Sequence, residues 1–379
     1  MKPNAANERI KRDYFTYLAE ARGRDPATID SAAAALARFE DSTGRKDFKR
    51  LHREQVIAFQ RRLAESASSR TGDRLSKATI HAIIRHCRDF FTWLAREPGY
   101  RSKISYTDAD YFSLSDKDVA IARARRDKAM PSIAQVEHVL TVLPTDTPVQ
   151  RRDRALIAFT MLTGARVGAL ASFRLGDLNA AGGYVDHDAR HVQSKFAKTF
   201  RTHFMPVSDH ALAIVQDWHA ELSADVARGP ADPLFPATAV APDDRGTFAA
   251  TGLLPSGWSG TGPVREVFRR AFGLAGLPYF NPHSFRDMLV RHAMTLNLAP
   301  EAMKAWSQNL GHADVLTTFT SYGQVPVHRQ GELIRAMASK AAANVATDQI
   351  EVLEALVATM KAGGVSSLSG NLSGQRNDQ

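Results

Sequence analysis

Cysteine is nearly absent from this chain: Cys87 is the only one in 379 residues. That excludes an intramolecular disulfide and any zinc site built on several thiolates. It fits a reducing compartment. Long apolar runs are missing as well. The most apolar uncharged stretch, Ala155–Ala165, has 11 residues, against the about 20 that cross a bilayer. Gly246–Val264 is longer but is broken by Pro255 and five glycines. Met1–Ile10 carries no apolar core of a signal peptide. The expectation is a cytoplasmic protein, neither secreted nor resident in a membrane. Acidic residues are the minority charge, 40 Asp and Glu against 49 Lys and Arg, for a net of +9. An excess of that sign points to a polyanionic partner, nucleic acid or an anionic surface.

What is present is ordinary for a globular chain, 44% apolar and 23% charged, and long enough for two or three domains. The basic excess is uneven. Residues 1–130 hold 27 Lys and Arg against 18 Asp and Glu, while residues 131–379 hold 22 of each. The first third is therefore the better candidate for a sequence-independent grip on phosphates.

Four helical patterns fill the first hundred residues. Ile10, Tyr14, Tyr17 and Leu18 mark one. Asp25-Pro26 opens a second as N-cap and first-turn proline, and Glu54–Glu65 forms a third. In the fourth, Ile80, Ile83, Ile84, Cys87, Phe90, Phe91 and Leu94 keep a 3.6-residue period, with His81, Arg85 and Arg88 on the other face. Cys87 lies on the apolar stripe, which predicts a buried core thiol. These patterns predict a small all-α domain over 9–97, ended by Pro98-Gly99. A basic connector over 98–130 follows, finishing on Arg123, Arg125, Arg126 and Lys128. Arg85, Arg88 and these four are the candidate DNA contacts.

A capping box at Ser132/Gln135 opens a second domain, 131–345. Ala155–Leu170 reads as one nearly all-apolar helix. Gly182–Val207 has β-compatible residues and no helical period. Helices are expected again at Ala211–Leu222, Val264–Phe272, His283–Leu296 and Pro300–Leu310. A Gly/Pro/Ala-rich stretch over 228–263 reads as a long surface loop. The remainder, 346–379, holds a helical pattern at Asp348–Met360 and a Gly/Ser/Asn-rich tail without the composition of a packed core. The fold class is mainly α with a small β-sheet.

A handful of polar residues in the second domain stands out. Arg166 lies in T-G-A-R-V-G-A-L at the end of an apolar helix, where a guanidinium must reach an anion or solvent. His283 and Arg286 form H-S-F-R, i and i+3 on one helical face. His312 follows Leu310-Gly311, and Tyr322 lies in T-S-Y-G. Singly these are weak signals, since helix arginines usually serve structural ion pairs and lone histidines usually pack. A metal site at the two histidines lacks a carboxylate or Cys at ligand spacing. The order Arg … Lys … His-x-x-Arg … Gly-His … Tyr is the informative feature.

From about residue 9 to 345 the chain resembles the tyrosine recombinase, or phage integrase, family. The resemblance implies a helical core-binding domain and a catalytic domain that clamp DNA together. T-G-A-R-V-G-A-L matches the first arginine box, giving Arg166. H-S-F-R gives His283 and Arg286, L-G-H gives His312, and S-Y-G gives Tyr322 as nucleophile. The family's lysine lies on a β-hairpin, and counting eight residues back from Pro206 gives Lys198, with Lys195 as competitor. The spacing His312 to Tyr322 is ten residues, one more than usual in the family. Ala169 stands where an acidic residue is common, and Asp287 where histidine is frequent.

The implied activity is site-specific DNA recombination, integration or excision, through a 3′-phosphotyrosyl intermediate, with no cofactor and no metal. Two arginines clamp the non-bridging oxygens of the phosphate with forked donors. They also ease ionisation of a phenol whose ordinary pKa is about 10. Lys198 protonates the leaving 5′ oxygen, His283 acts as acid and base at the tyrosine, and His312 bonds the phosphate. The partners implied are double-stranded DNA and a homotetramer on two DNA sites, with room for accessory DNA-bending or directionality proteins. Two alternatives share many of these features: a DNA-relaxing topoisomerase with the same cleavage chemistry, and a DNA-binding regulator that does not cut.

Overall fold

The computed structural model describes residues 2–68, 72–124, 129–194, 197–242, 246–296, 298–312, 330–332, 334–335 and 354. The chain divides into two units, Met1–Arg126 and Asp127–Gln379.

In the first unit, α1 (Ala5–Thr16), a π-helical turn (Tyr17–Ala21), α2 (Pro26–Ser42), α3 (Arg53–Glu65) and α4 (Lys77–Leu94) enclose the core. Asp25 caps α2 by accepting from Thr28 N at 2.7 Å, ahead of Pro26. The whole apolar stripe of α4 is buried. Its rings meet neighbours edge-on, Phe39 against Phe91 at 5.3 Å and Phe48 against Phe90 at 5.1 Å. Cys87 is fully buried, and desolvation pushes its thiol well above its ordinary pKa. A buried Asn7 donates to Glu40 (3.0 Å) and to the Lys46 carbonyl (2.9 Å) and accepts from Phe48 N (3.1 Å).

The stretch expected as a connector over 98–130 differs from that reading. Two short helices, α5 (Tyr106–Asp110) and α6 (Asp116–Arg123), occupy it and pack against α4. Their anchors are few but large: Ile104, Ala109 and Phe112 join the core, and Phe112 stacks on Phe91 at 4.9 Å. Serine caps, Ser105 and Ser115, start both helices. Among the candidate DNA contacts of this unit, Arg85 and Arg123 are exposed. Arg88 is held by Asp110 at 2.7 Å, an exposed pair of the kind worth about 0.2–1 kcal/mol. Arg125, Arg126 and Lys128 lie outside the described residues.

The second unit is built around α8 (Pro148–Thr163), whose residues from Ala155 onward are buried without exception. Thr147 and Gln150 form its capping box. α7 (Ile133–Val142), α10 (Asp209–Ala224) and α12 (Pro282–Thr295) pack on it. A buried ionic node fixes one end. Arg152 donates to Asp153 (2.6 Å), the Pro236 carbonyl (2.6 Å) and Thr238 (3.0 Å), and Arg270 also reaches Asp153.

Two expectations are corrected here. Ala155–Leu170 is not one helix. Gly164 takes a left-handed conformation (φ 58°) and ends α8, and a separate short α9 (Val167–Ser172) follows. The stretch over 228–263 is not a bare loop. It contains an antiparallel hairpin of β4 (Thr238–Pro242) and β5 (Phe248–Leu253) with a bulge at Ala239/Val240.

The expected small sheet is present, antiparallel in the order β1 (Leu178–Asn179), β2 (Tyr184–His187) and β3 (Phe200–His203). Its register pairs Tyr184 with His203 and His187 with Phe200. α11 (Gly262–Leu274) and α13 (Pro300–Asn309) complete the unit. The Asp348–Met360 helical pattern lies outside the described residues. No helix among the described residues is long and apolar enough to cross a membrane.

Candidate active site

The site forms where four pieces of the second unit meet: the α8–α9 break, the end of the β2–β3 loop, the start of α12 and the turn after α13. Each piece is held by local chemistry. At the break, the Thr163 hydroxyl donates to the Phe159 carbonyl (2.7 Å) and accepts from Ala165 N (3.2 Å). Arg166 then leaves in extended conformation as the residue before α9, half-buried. A Cβ at Gly164 would sit 3.0 Å from both Leu289 and Leu310 and 3.2 Å from Arg286 Cγ. Its positive φ favours glycine, and any larger residue would also make these side chains give by a few tenths of an ångström.

At the start of α12, Asn281 caps by accepting from His283 N (2.9 Å) and Ser284 N (3.3 Å), with Pro282 at the first position. That leaves His283 exposed and turns Arg286 inward, where it is 3% exposed. Arg286 joins the other pieces. It donates through Nη1 to the Gly164 carbonyl at 2.8 Å, and through Nη2 to the Leu310 carbonyl and to His312 Nε2 at 3.0 Å. A guanidinium only donates, so His312 Nε2 must accept, and the ring is neutral with its proton on Nδ1.

Gly311 turns the chain into His312 at φ 70°, and a Cβ there would meet the Phe200 ring at 2.6 Å. Asn309 fastens this turn to β3. It accepts from His203 N (2.7 Å), donates to the His203 carbonyl (2.8 Å), and its own carbonyl accepts from Thr202 Oγ1 (2.9 Å). Lys198 precedes β3, half-buried, its carbonyl accepting from Ser194 Oγ at 2.8 Å.

The electrostatics of the site follows from this convergence. Burial pushes His312 down to about 4, and the charges of Arg286, Arg166, His283 and Lys198 all push it the same way. So Arg166, Lys198, His283 and Arg286 share one neighbourhood with His312. Tyr322 and the competing Lys195 lie outside the described residues. Three further residues of the site, His187, Thr202 and Asn309, escaped the sequence reading. Their types are unremarkable, and their contacts join positions more than a hundred apart for Asn309.

The two buried histidines give a pH prediction. His187 is also pushed down to about 4, by burial first and then by Arg286 and Arg166. The unfolded chain takes up these protons near pH 6.5, which the folded state resists until about pH 4. The associated stability is therefore complete above pH 6.5 and is lost as pH falls from there toward 4. By pH 5 the expected loss is up to about 2 kcal/mol for each histidine. Chemical denaturation at pH 7 and pH 5 checks it, and equal unfolding free energies at the two values contradict it.

The sequence model of the phage integrase family matches residues 132–328, just over half of the chain. Tyrosine recombinase XerC of Xylella fastidiosa is 25% identical over 315 residues, covering 82% of this chain and 90% of that protein. XerC of Xanthomonas campestris pv. campestris is 23% identical over 324 residues, covering 84% and 82%. Among solved structures, the Tn1549 transposon integrase in complex with transposon right end DNA superimposes with a TM-score of 0.57 at 14% identity, covering 87% of this chain and 99% of that one. A lambda integrase dimer bound to a core site gives 0.56 at 14%, covering 84% and 99%. At such identities the structural likeness shows the fold. The chain belongs to the phage integrase family, the tyrosine recombinases, which carry out site-specific DNA recombination through a phosphotyrosyl intermediate.

Proposed function

We propose that this chain cuts and rejoins DNA strands at a specific site, with Tyr322 as nucleophile and Arg166, Lys198, His283, Arg286 and His312 as the supporting set. The observation that carries this reading is the convergence of four cationic or titratable candidates on His312. Scattered structural residues have no reason to share one point.

The phenolic oxygen of Tyr322 attacks the scissile phosphorus, a P–O bond forms to the tyrosine, and the bond to the 5′ oxygen breaks. His283, exposed at the start of α12, takes the phenolic proton, and Lys198 delivers one to the leaving 5′ oxygen. Arg166 and Arg286 stabilise charge on the non-bridging oxygens, and His312 adds a hydrogen bond from its protonated edge. The phosphotyrosyl bond keeps the energy of the broken link, so rejoining needs no nucleotide. Tn1549 integrase and lambda integrase were solved on DNA, and lambda integrase also as a tetramer on a Holliday junction. By that likeness we propose duplex DNA as partner and four copies on two sites as the working assembly.

The test uses nicked suicide duplexes, their sequence first recovered from a randomised pool by covalent capture. The parent protein becomes linked to the 3′ end and shifts on a denaturing gel. A parent protein that captures no duplex refutes the reading. On the recovered site, Lys198→Ala slows cleavage by about 10²–10⁴-fold, the range of general acid catalysis. A 5′-bridging sulfur, which leaves without a proton, restores its rate. Rescue of Lys195→Ala instead reassigns the acid.

A further inference from the structure

Residues 188–199 join β2 to β3 and carry Lys198 near their end. A lysine on such a connection keeps its place only if the backbone around it is fastened to the scaffold. Successive residues ahead of the lysine do this. His191 Nε2 lies 2.8 and 3.0 Å from the two carboxylate oxygens of Asp177, and both side chains are largely buried. A carboxylate only accepts, so the imidazole proton sits on Nε2. Val192 follows, 2% exposed in the core. Gln193 N then donates to Ser172 Oγ at 2.8 Å, and Ser172 lies on α9, the helix that Arg166 precedes. The two segments touch closely: a Cβ at Gly168 of α9 would sit 3.1 Å from the Gln193 carbonyl oxygen. Ser194 passes the constraint on, its hydroxyl donating to the Lys198 carbonyl at 2.8 Å.

The backbone next to the lysine needs this support. Ala197 takes φ 47°, the left-handed region that residues with a side chain avoid. Such a conformation persists only where the surroundings impose it. Burial of Val192 has no direction, so it sets depth alone, whereas the hydrogen bonds on either side of it set orientation. The acceptor for His191 is itself fixed. Asp177 closes a 3-10 turn (Leu175–Asp177) ahead of β1, and its Oδ2 also accepts from Arg174 N at 2.8 Å. The histidine therefore docks on an anchor that the loop does not have to order.

We propose that His191 is a positioning residue for the leaving-group proton. Bonded to Asp177, it docks the connection between β2 and β3 against α9 and so fixes where Lys198 stands relative to the arginine at the head of that helix. This rests on the strand-cleavage reading above, and the experiment separates the two.

On the suicide duplex, His191→Ala should cleave up to about 100-fold more slowly, since a misplacement of about 1 Å can cost that much. Its DNA affinity should stay unchanged. The 5′-bridging sulfur should restore the parental rate, because that leaving group needs no proton and the arginines are undisturbed. A merely structural defect would slow both duplexes alike. Glutamine places an N–H near the Nε2 position, so His191→Gln should cleave at close to the parental rate. The amide of asparagine stops near Nδ1, so His191→Asn should behave like the alanine variant. Hydrogen exchange of the DNA-free, full-length protein reads the docking without any cleavage. Amides of residues 191–199 should exchange at least about tenfold faster in His191→Ala, the effect of losing one hydrogen bond to a charged group.

A His191→Ala protein that cleaves the oxygen duplex at the parental rate overturns the inference. So does a loss that sulfur leaves unrescued, which puts the defect at the phosphate or in packing. Unchanged exchange over residues 191–199 overturns it with no reference to DNA. Failure of the parent protein to capture DNA refutes the cleavage reading instead, and the exchange rates then still decide whether His191 docks the loop.

Discussion

A Tyr322→Phe protein should bind the recovered DNA site as tightly as the parent and form no covalent adduct. The substitution removes one oxygen and keeps the ring, so size and charge hardly change while the atom proposed to attack phosphorus is gone. Water is a poor replacement, because a free molecule lacks the covalent tether that holds a side-chain phenol in place, and positioning alone can be worth about 7–11 kcal/mol of a barrier. The expected signal on a denaturing gel with the suicide duplex is therefore absence rather than reduction. An adduct that persists in Tyr322→Phe moves the nucleophile, and peptide mapping would locate it. Tyr279 is the one other tyrosine beyond Tyr184, and it is 40% exposed with Arg269 over its ring at 5.1 Å. Adduct mapping to Tyr279 would overturn the assignment.

Arg286→Ala should be the most damaging change among the described residues, because it acts on stability and chemistry at once. Removing the guanidinium leaves the Gly164 and Leu310 carbonyls and His312 Nε2 without the donor they now share. Each buried group left unsatisfied costs about 1–3 kcal/mol, so a loss of at least about 3 kcal/mol in the second unit is expected. Loss of one charged donor to the transition state adds a fall of at least about 10²–10³-fold in cleavage. Arg286→Lys separates the two effects. A lysine keeps the charge and can serve one of the carbonyls, so thermal stability should return in part. Cleavage should remain at least about 100-fold down, because a point charge does not reproduce the fork. A lysine variant that melts and cleaves like the parent would show that forked geometry is not what this position supplies.

Much of the helical framework was legible because burial imposed a period. The stripe from Ile80 to Leu94 and the capping box at Ser132 are local signals with local causes. Gly164 was hidden by its surroundings, since the apolar residues on both sides of it read as one continuous helix. Only the tertiary contacts of Leu289, Leu310 and Arg286 reveal why the chain turns there. The β4–β5 hairpin was missed for the opposite reason. Its strands are rich in Ala, Thr and Gly and largely exposed, so no alternation marks them. Helices α5 and α6 are too short for periodicity and rest on a few large side chains such as Phe112. The catalytic candidates were legible as an ordered set, but their supports were not. Nothing in the sequence says that Asn309 fastens β3 to the turn before His312.

The bonds that close the site span long stretches of chain: Arg286 to Gly164 across 122 residues, and Asn309 to His203 across 106. Contacts of such separation form late, because the closure entropy of the intervening chain must be overcome first. During synthesis the arginine of the α8–α9 break and the lysine of the hairpin emerge well before the chain that orients them. A fragment released before residue 286 carries Arg166 and Lys198 but neither the second arginine nor the turn that presents His312. Under the proposed assignment, cleavage competence is expected only once these closing contacts have formed.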